Sequence, residues 1–308
     1  MSNPAASFEP YRRRLLGLAY RMLGSMADAE DAVQETYLRW HSADRDRVSD
    51  PKAFLMTTTT RICLDILTSA RARHEEYVGP WLPEPVVDTA ALAPDSRTEL
   101  AEDLSIALLL ILDRLSPLER AAFLLHDVFD FSFSEVATTL ERSEAACRQL
   151  AARARAHVSA ARPRGATQPA RPGDIDAKHA QLISAFAAAT ESGDLSALMQ
   201  LLASDVRVVT DGGGKVRAAL NVVEGADNAA RFLIDVTRKR PGAWWRDDFR
   251  PRFAIINGLP GIIVEAPEGV MQTAAFEIEG DVIRALYVVR NSDKLRHLTT
   301  ARHESGPE

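Results

Sequence analysis

Arg148, Gln149 and Arg153 sit in the stretch FSFSEVATTLERSEAACRQLAARARAHV, residues 131–158. Helical spacing puts them, with Ala152, on one side of a helix and Ala146, Leu150, Ala154 and Val158 on the other. An arginine fork can pair with guanine O6 and N7, and a glutamine carboxamide with adenine N6 and N7, so the chemistry on offer is recognition of base edges rather than bond making. Ser143 follows the short turn Glu141-Arg142 and stands where an N-cap belongs. An ordinary helical hairpin with solvated arginines would show the same periodicity. Charge favours the reading surface: six arginines (Arg142, Arg148, Arg153, Arg155, Arg162, Arg164) stand against Glu141 and Glu144 in a chain whose net charge is −6.

The elements that must position these residues are two helices joined by a tight turn. The first buries Val136, Ala137 and Leu140 against the core that the second also faces, the arrangement of a helix-turn-helix. Helical periodicity runs from Leu100 to His157, and also from Tyr11 to Arg73, where Leu15, Leu18, Ala19 and Met22 open the pattern. A second helix covers DAEDAVQETYLRW with Asp28 as its expected N-cap and Asp31 in the capping-box position. Pro51 can open a third helix, AFLMTTTTRICLDILTSARAR. Between the blocks, residues 76–98 hold Gly79, Pro80, Pro83, Pro85 and Pro94 and read as an acidic linker. Its Trp81 is expected to dock, since a free indole wastes its burial. Residues 162–175 read as a hinge.

Beyond Asp176 the texture changes to two helices and then short alternating runs, VRVVT, FAIIN, GIIVEA, VMQTAAFEIEG and VIRALYVV, which predict an α+β domain with a mostly antiparallel sheet. The run Gly212-Gly213-Gly214, flanked by Asp211 and Lys215, permits a hairpin turn with positive φ; Asn257-Gly258 and Glu279-Gly280 read as turns too. The expected domains are therefore 1–75, 99–161 and 176–298, with 299–308 frayed.

Of 308 residues, 46% are hydrophobic and 26% charged, and no apolar run approaches a membrane span, so no membrane role is expected and the cytoplasm is the expected location. The N-terminus lacks the cleavage pattern of a secretory signal. Cys63 and Cys147 read as apolar fillers, and no metal or cofactor constellation is seen. An acidic chain is a poor solitary DNA binder, so a DNA role calls for a partner.

RMLGSMADAEDAVQETYLRW resembles region 2, and LSPLERAAFLLHDVFDFSFSEVATTLERSEAACRQLAARARAHV resembles region 4, of the extracytoplasmic-function sigma factors of bacterial RNA polymerase. The resemblance implies that Asp28, Glu30, Asp31, Gln34 and Glu35 lie on or beside a face contacting core RNA polymerase. It also implies that the loop 42–50 and the helix from Ala53 read the −10 promoter element, with Arg61 and Asp65 facing it and Arg71 and Arg73 near phosphates. Arg148, Gln149, Arg153 and Ser143 match the −35-reading helix. The run Thr57 to Thr60 departs from the aromatic and basic residues common there, so promoter preference does not transfer.

The tail resembles a SnoaL-like cone, and WLPEP, DGGGKVRAAL and RNSDKLRHL resemble motifs of the sigma subgroup that carries it. The implied fold is multidomain: two all-α sigma domains followed by an α+β SnoaL-like cone domain. An enzyme of that fold would need a base, for which Asp211 is a poor candidate, so no catalysis is expected. The resemblance implies control in cis, and Trp81, Pro83, Asp211, Gly213, Lys215, Asn291, Asp293 and Lys294 are expected to form one contact. A separate anti-sigma factor would then be unnecessary, and a small ligand could shift the balance. Alternatives are an isomerase, cyclase or ligand-sensing cone fused to a helix-turn-helix regulator, and a dimeric repressor, which leaves the acidic block unexplained.

Overall fold

A computed structural model of the chain describes residues 4–74, 77–87, 105–161, 177–239, 250–266 and 269–300. The expected hinge 162–175, residues 88–98 of the expected linker and the tail beyond 300 lie outside them. The chain divides into two compact units. The first comprises Met1–Glu76 and Thr89–Pro163; the second comprises Tyr77–Asp88 and Arg164–Glu308.

The first unit opens with α1 (Pro4–Leu23), α2 (Met26–Ser42) and α3 (Pro51–His74). Their apolar stripes bury Leu15, Leu18, Met22, Val33, Trp40, Leu55 and Cys63, a core consistent with the 3.6-residue period. The N-cap of α2 is Ser25, not Asp28: the Ser25 hydroxyl accepts from the Asp28 amide. Gly24, at φ 68°, has already ended α1, which puts the extended position that a cap needs at Ser25. Asp28 is left in the first turn, where its charge favours the helix dipole.

The unit continues with α4 (Ile106–Asp113), α5 (Pro117–Phe123), a π-helical turn Leu124–Val128, α6 (Phe133–Leu140) and α7 (Glu144–Ala161). Ser116 with Glu119, and Ser132 with Glu135, close capping boxes on α5 and α6. Glu141 turns the chain between α6 and α7 at φ 55°. On α7 the fully buried positions are Cys147, Ala151, Ala154 and Val158, whereas Ala146 and Leu150 are half-buried; the inward face is rotated from the expected one.

The second unit holds α8 (Ala177–Ser192), α9 (Leu195–Leu201), β1 (Leu202–Asp211), β2 (Val223–Glu224), α10 (Ala226–Lys239), β3 (Arg250–Ile256), β4 (Leu259–Ala266), β5 (Gly269–Glu279), β6 (Val282–Val289) and α11 (Ser292–Thr300). Its six-stranded sheet runs β2-β1-β6-β5-β4-β3, with β1 and β6 parallel and every other pair antiparallel. Asn257 and Gly258, both at positive φ, make the two-residue turn between β3 and β4. One sheet face is filled by α8 and α10: Ile183, Phe186, Leu233, Val208, Ile262, Phe276 and Leu286 form a single apolar cluster, with Phe186 edge-on to Phe276 at 5.3 Å.

Candidate functional site

Side chains alternate along β1, so Val206 and Val208 enter the apolar cluster while Asp211 points to the opposite face. Asp211 is fully buried, and its register partner is Val289, the last residue of β6. Three donors converge on it: Tyr77 Oη at 2.5 Å on Oδ1, and the Leu82 amide at 2.9 Å and Lys294 Nζ at 2.8 Å on Oδ2. An aspartate held in this way serves as an acceptor hub rather than a base open to a substrate.

Lys294 is buried too. Its ammonium lies 4.3 Å from the Trp81 ring centroid and 5.0 Å from that of Tyr77, and it donates to the Leu82 carbonyl at 2.5 Å. Burial, with Asp211 accepting its proton, holds the Tyr77 phenol above its ordinary value. Asn291 donates to Tyr77 Oη at 3.1 Å, and its Oδ1 accepts from the Asp293 amide. Asp293 pairs with Lys215, which pulls its carboxyl below the usual range.

Residues 77–87 are thus bound along the second unit. Leu82, Pro83, Glu84, Pro85 and Val86 are all buried. Asn257 grips Val86 twice, accepting from its amide at 3.0 Å and donating to its carbonyl at 2.8 Å, and His297 Nε2 meets the Pro85 carbonyl at 2.7 Å. Of the expected contact, Trp81, Asp211, Lys294 and Asn291 come together here, with Lys215 and Asp293 paired at its edge. Gly213 leaves room for it: a Cβ there would lie 2.2 Å from Asn291 Nδ2 and 3.1 Å from Tyr77 Oη, at φ 58°. Gly213→Ala is therefore expected to cost about 1–3 kcal/mol in thermal or denaturant unfolding, with faster hydrogen exchange at the Leu82 and Val86 amides.

In the first unit, Arg148, Gln149 and Arg153 are exposed on α7, and the Ser143 hydroxyl caps the helix through the Ala146 amide. Arg148 bonds Glu144 at 2.5 Å and lies over Phe133. Arg153 is already engaged: it donates at 2.7 Å to Glu119, the capping-box residue of α5. That bond, with the Ser116 hydroxyl, lowers the Glu119 carboxyl to about 2. A depressed carboxyl contributes stability that is present above its unfolded value near 4.5 and is lost as pH falls toward 2. Glu119→Gln should flatten this part of the acid-denaturation curve followed by circular dichroism.

Asp28, Glu30, Asp31 and Gln34 are exposed on α2, and Glu35 pairs with Arg39 at 2.9 Å. Leu38, 52% exposed, continues this side of the helix. On α3, Asp65 is exposed, and the side chains of Arg71 and Arg73 lie outside the described ones.

Arg61 faces α6. It donates to the Thr138 and Thr139 carbonyls at 3.1 Å and pairs with Glu141 at 3.0 Å, while the Thr57 and Thr139 hydroxyls bond at 2.9 Å. The threonine run thus has a structural reason: Thr58, Thr59 and Thr60 bond back to the carbonyls of Phe54, Leu55 and Met56, and Thr57 reaches across to α6. Arg120, buried, ties α5 to α1 by donating to the Met22 carbonyl at 2.5 Å and to Asp113 at 3.2 Å. Sequence reasoning passed over Tyr77, Thr139, Glu119, Arg120 and His297, and read Asn257 as a turn alone.

The described chain thus comprises three packed helices, a helical segment ending in a helix-turn-helix and an α+β domain. The sigma-70 region 2 family matches residues 8–73, and the sigma-70 region 4 family matches residues 105–158. The ECF RNA polymerase sigma factor SigJ of Mycobacterium tuberculosis (strain ATCC 25618 / H37Rv) is 40% identical over 299 residues, covering 94% of this chain and 92% of the relative. The crystal structure of Mycobacterium tuberculosis SigJ superposes with a TM-score of 0.69 at 34% identity, covering 95% of this chain and 98% of that one. A probable ECF sigma factor SigI of Mycobacterium tuberculosis (strain CDC 1551 / Oshkosh) is 33% identical over 233 residues, 75% of this chain and 76% of the relative. The chain belongs to the ECF RNA polymerase sigma factors: it is an alternative sigma factor that works with core polymerase at promoter DNA to initiate transcription. Among the described residues no helix is long and apolar enough to cross a membrane. The relatives give no support to the expectation that a separate anti-sigma factor is dispensable, and that expectation is withdrawn.

Proposed function

We propose that the SnoaL-like domain controls initiation in cis by holding the segment that connects region 2 to region 4. The observation that carries this is the burial of residues 82–86 against Asp211, Lys294 and Asn257, all of them in the second unit. Trp81, Pro83, Asp211, Gly213, Lys215, Asn291, Asp293 and Lys294 are the regulatory residues in this reading. Domain limits follow: region 2 to residue 75, a connector over 76–98, region 4 over 99–161, a hinge over 162–175 and the cone from 176 to 298.

Core polymerase docks on the outer side of α2, with Asp28, Glu30, Asp31, Gln34 and Glu35 around the exposed Leu38. An exposed apolar side chain that follows an acidic run on one helix suits a basic partner surface. The −10 element is read from α3 through Arg61 and Asp65, with Arg71 and Arg73 at phosphates. The −35 element is read by Arg148 and Gln149 on the exposed side of α7, with Ser143 and Arg153 beside them; Arg153 reads bases only when it leaves Glu119. No chemical step belongs to the cone in this reading.

Run-off transcription with purified core polymerase tests the assignment. Replacing both Arg148 and Gln149 by alanine should lower initiation by about 30-fold or more at a promoter that needs its −35 element, since two lost bidentate contacts at about 1–3 kcal/mol each come to at least about 2 kcal/mol, and leave core binding intact. Unchanged initiation would remove these residues from promoter reading. Failure of the wild-type chain to bind core polymerase would remove the docking face.

A further inference from the structure

We infer that the SnoaL-like domain is a peptide-recognition module for an extended, proline-containing segment, and that residues 77–87 fill it as a displaceable strap which the same peptide supplied in trans can replace. The recognition is of main chain. Leu82 gives its amide to Asp211 and its carbonyl to Lys294; Val86 gives its amide to the Asn257 side chain and its carbonyl to the Asn257 amide; the Pro85 carbonyl meets His297. Leu82 and Val86 are buried, which adds side-chain selection to the backbone contacts. These are the marks of peptide binding in a groove, with backbone hydrogen bonds for grip and spaced apolar side chains for choice.

The strap is suited to leaving. It forms no helix or strand of its own over 77–87. Pro80, Pro83 and Pro85 have no amide to satisfy and fix φ, so the free segment is already partly extended and little order is lost or regained on exchange. The domain side is built in advance. Asn257 is held at φ 48° in its two-residue turn, and Asp211 and Lys294 end β1 and open α11. Burying both members of that charge pair at this one place gives the strap a polar anchor whose position is fixed.

Release has a consequence for initiation that rests on the proposed cis control. The docked residues 77–87, eleven in all, are withdrawn from the connector between α3 and α4. Fully extended, eleven residues span at most roughly 36–40 Å, and release adds to the reach whatever part of that length the docked path does not already span. The cone thereby sets how far region 4 can travel from region 2, and a partner that takes the groove lengthens the tether.

The test uses a fluorescein-labelled peptide of sequence YVGPWLPEPVVD and the full chain carrying Trp81→Ala, Leu82→Asp and Val86→Asp to empty the groove. Saturable binding to this variant is expected in fluorescence anisotropy. Binding to the wild-type chain should be about 100-fold weaker, because a tethered strap competes at roughly millimolar effective concentration. Adding Lys294→Met to the emptied chain should abolish binding while the variant still melts cooperatively, and a scrambled peptide should not bind. No binding to an emptied chain that still melts cooperatively, or equal binding after Lys294→Met, overturns the inference. Should the emptied chain fail to fold, hydrogen exchange of the wild-type chain decides. Excess peptide should speed exchange at the Leu82 and Val86 amides, and unchanged protection overturns the inference. No step uses polymerase, so this result is separate from that of the initiation assay.

Discussion

Asp211→Ala should destabilise the second unit by about 3–5 kcal/mol and free residues 77–87, because it leaves the Lys294 ammonium buried without its counter-charge. Lys294 is 7% exposed, and the Leu82 carbonyl and the Tyr77 and Trp81 ring faces that it also meets offset only part of the lost carboxylate. The Tyr77 hydroxyl and the Leu82 amide lose their acceptor in the same stroke. Denaturant unfolding gives the stability, and hydrogen exchange at the Leu82 and Val86 amides gives the state of the strap.

Lys294→Met alone should cost a similar amount, since it strands the Asp211 carboxylate at zero exposure. The double variant should fall well short of the sum, with a coupling of about 1–3 kcal/mol in the mutant cycle. Additive costs would mean that the two side chains act through separate contacts. The same variants carry the functional prediction: run-off transcription should change in one direction for Asp211→Ala, Lys294→Met and Gly213→Ala, because all three release one strap. Opposite directions would break the link between the strap and initiation.

The helices of both sigma regions and the turn between α6 and α7 were legible from period and caps, because those signals are local. Errors arose where local signals compete. Ser25 and Asp28 are both good caps, and only the end of α1 at Gly24 decides between them. Alanines at 145, 146, 151, 152, 154 and 156 surround much of α7, so the apolar period fixes the helix but not its phase, which Cys147 sets.

The regulatory contact was legible only by motif. The hydrogen bonds from the strap to the cone span from 129 positions, between Leu82 and Asp211, to 214, between Tyr77 and Asn291, and the strap has no periodicity from which a binding face could be read. Asp211 shows the remaining difficulty. An acid beside three glycines suggests a turn or a base, whereas strand parity and burial make it the hub for a segment far away in sequence.

Thr139→Arg should open the closed arrangement of regions 2 and 4 and raise promoter-DNA binding without polymerase about 10–100-fold. Arg61 has one guanidinium, and while it donates to the Thr138 and Thr139 carbonyls and pairs with Glu141 it is not free for DNA. Thr139 is 2% exposed and its hydroxyl meets Thr57, so an arginine there has no room and no partner while α3 lies against α6. Burying an unpaired cation costs several kcal/mol, more than the Arg61 and Thr57 hydrogen bonds to α6 at about 1 kcal/mol each, so α3 and α6 separate even though Arg120 still ties α5 to the Met22 carbonyl. X-ray scattering should show a larger radius of gyration. Thr57→Arg attacks the same contact from the α3 side and should give the same opening, whereas a folding defect of region 4 would follow Thr139→Arg alone. Glu141→Ala should change little, since that carboxylate is 72% exposed and a surface pair contributes about 0–1 kcal/mol. If both arginine variants bind DNA no better than wild type while expanding in solution, Arg61 is not held back by α6, and closure is not what limits promoter reading.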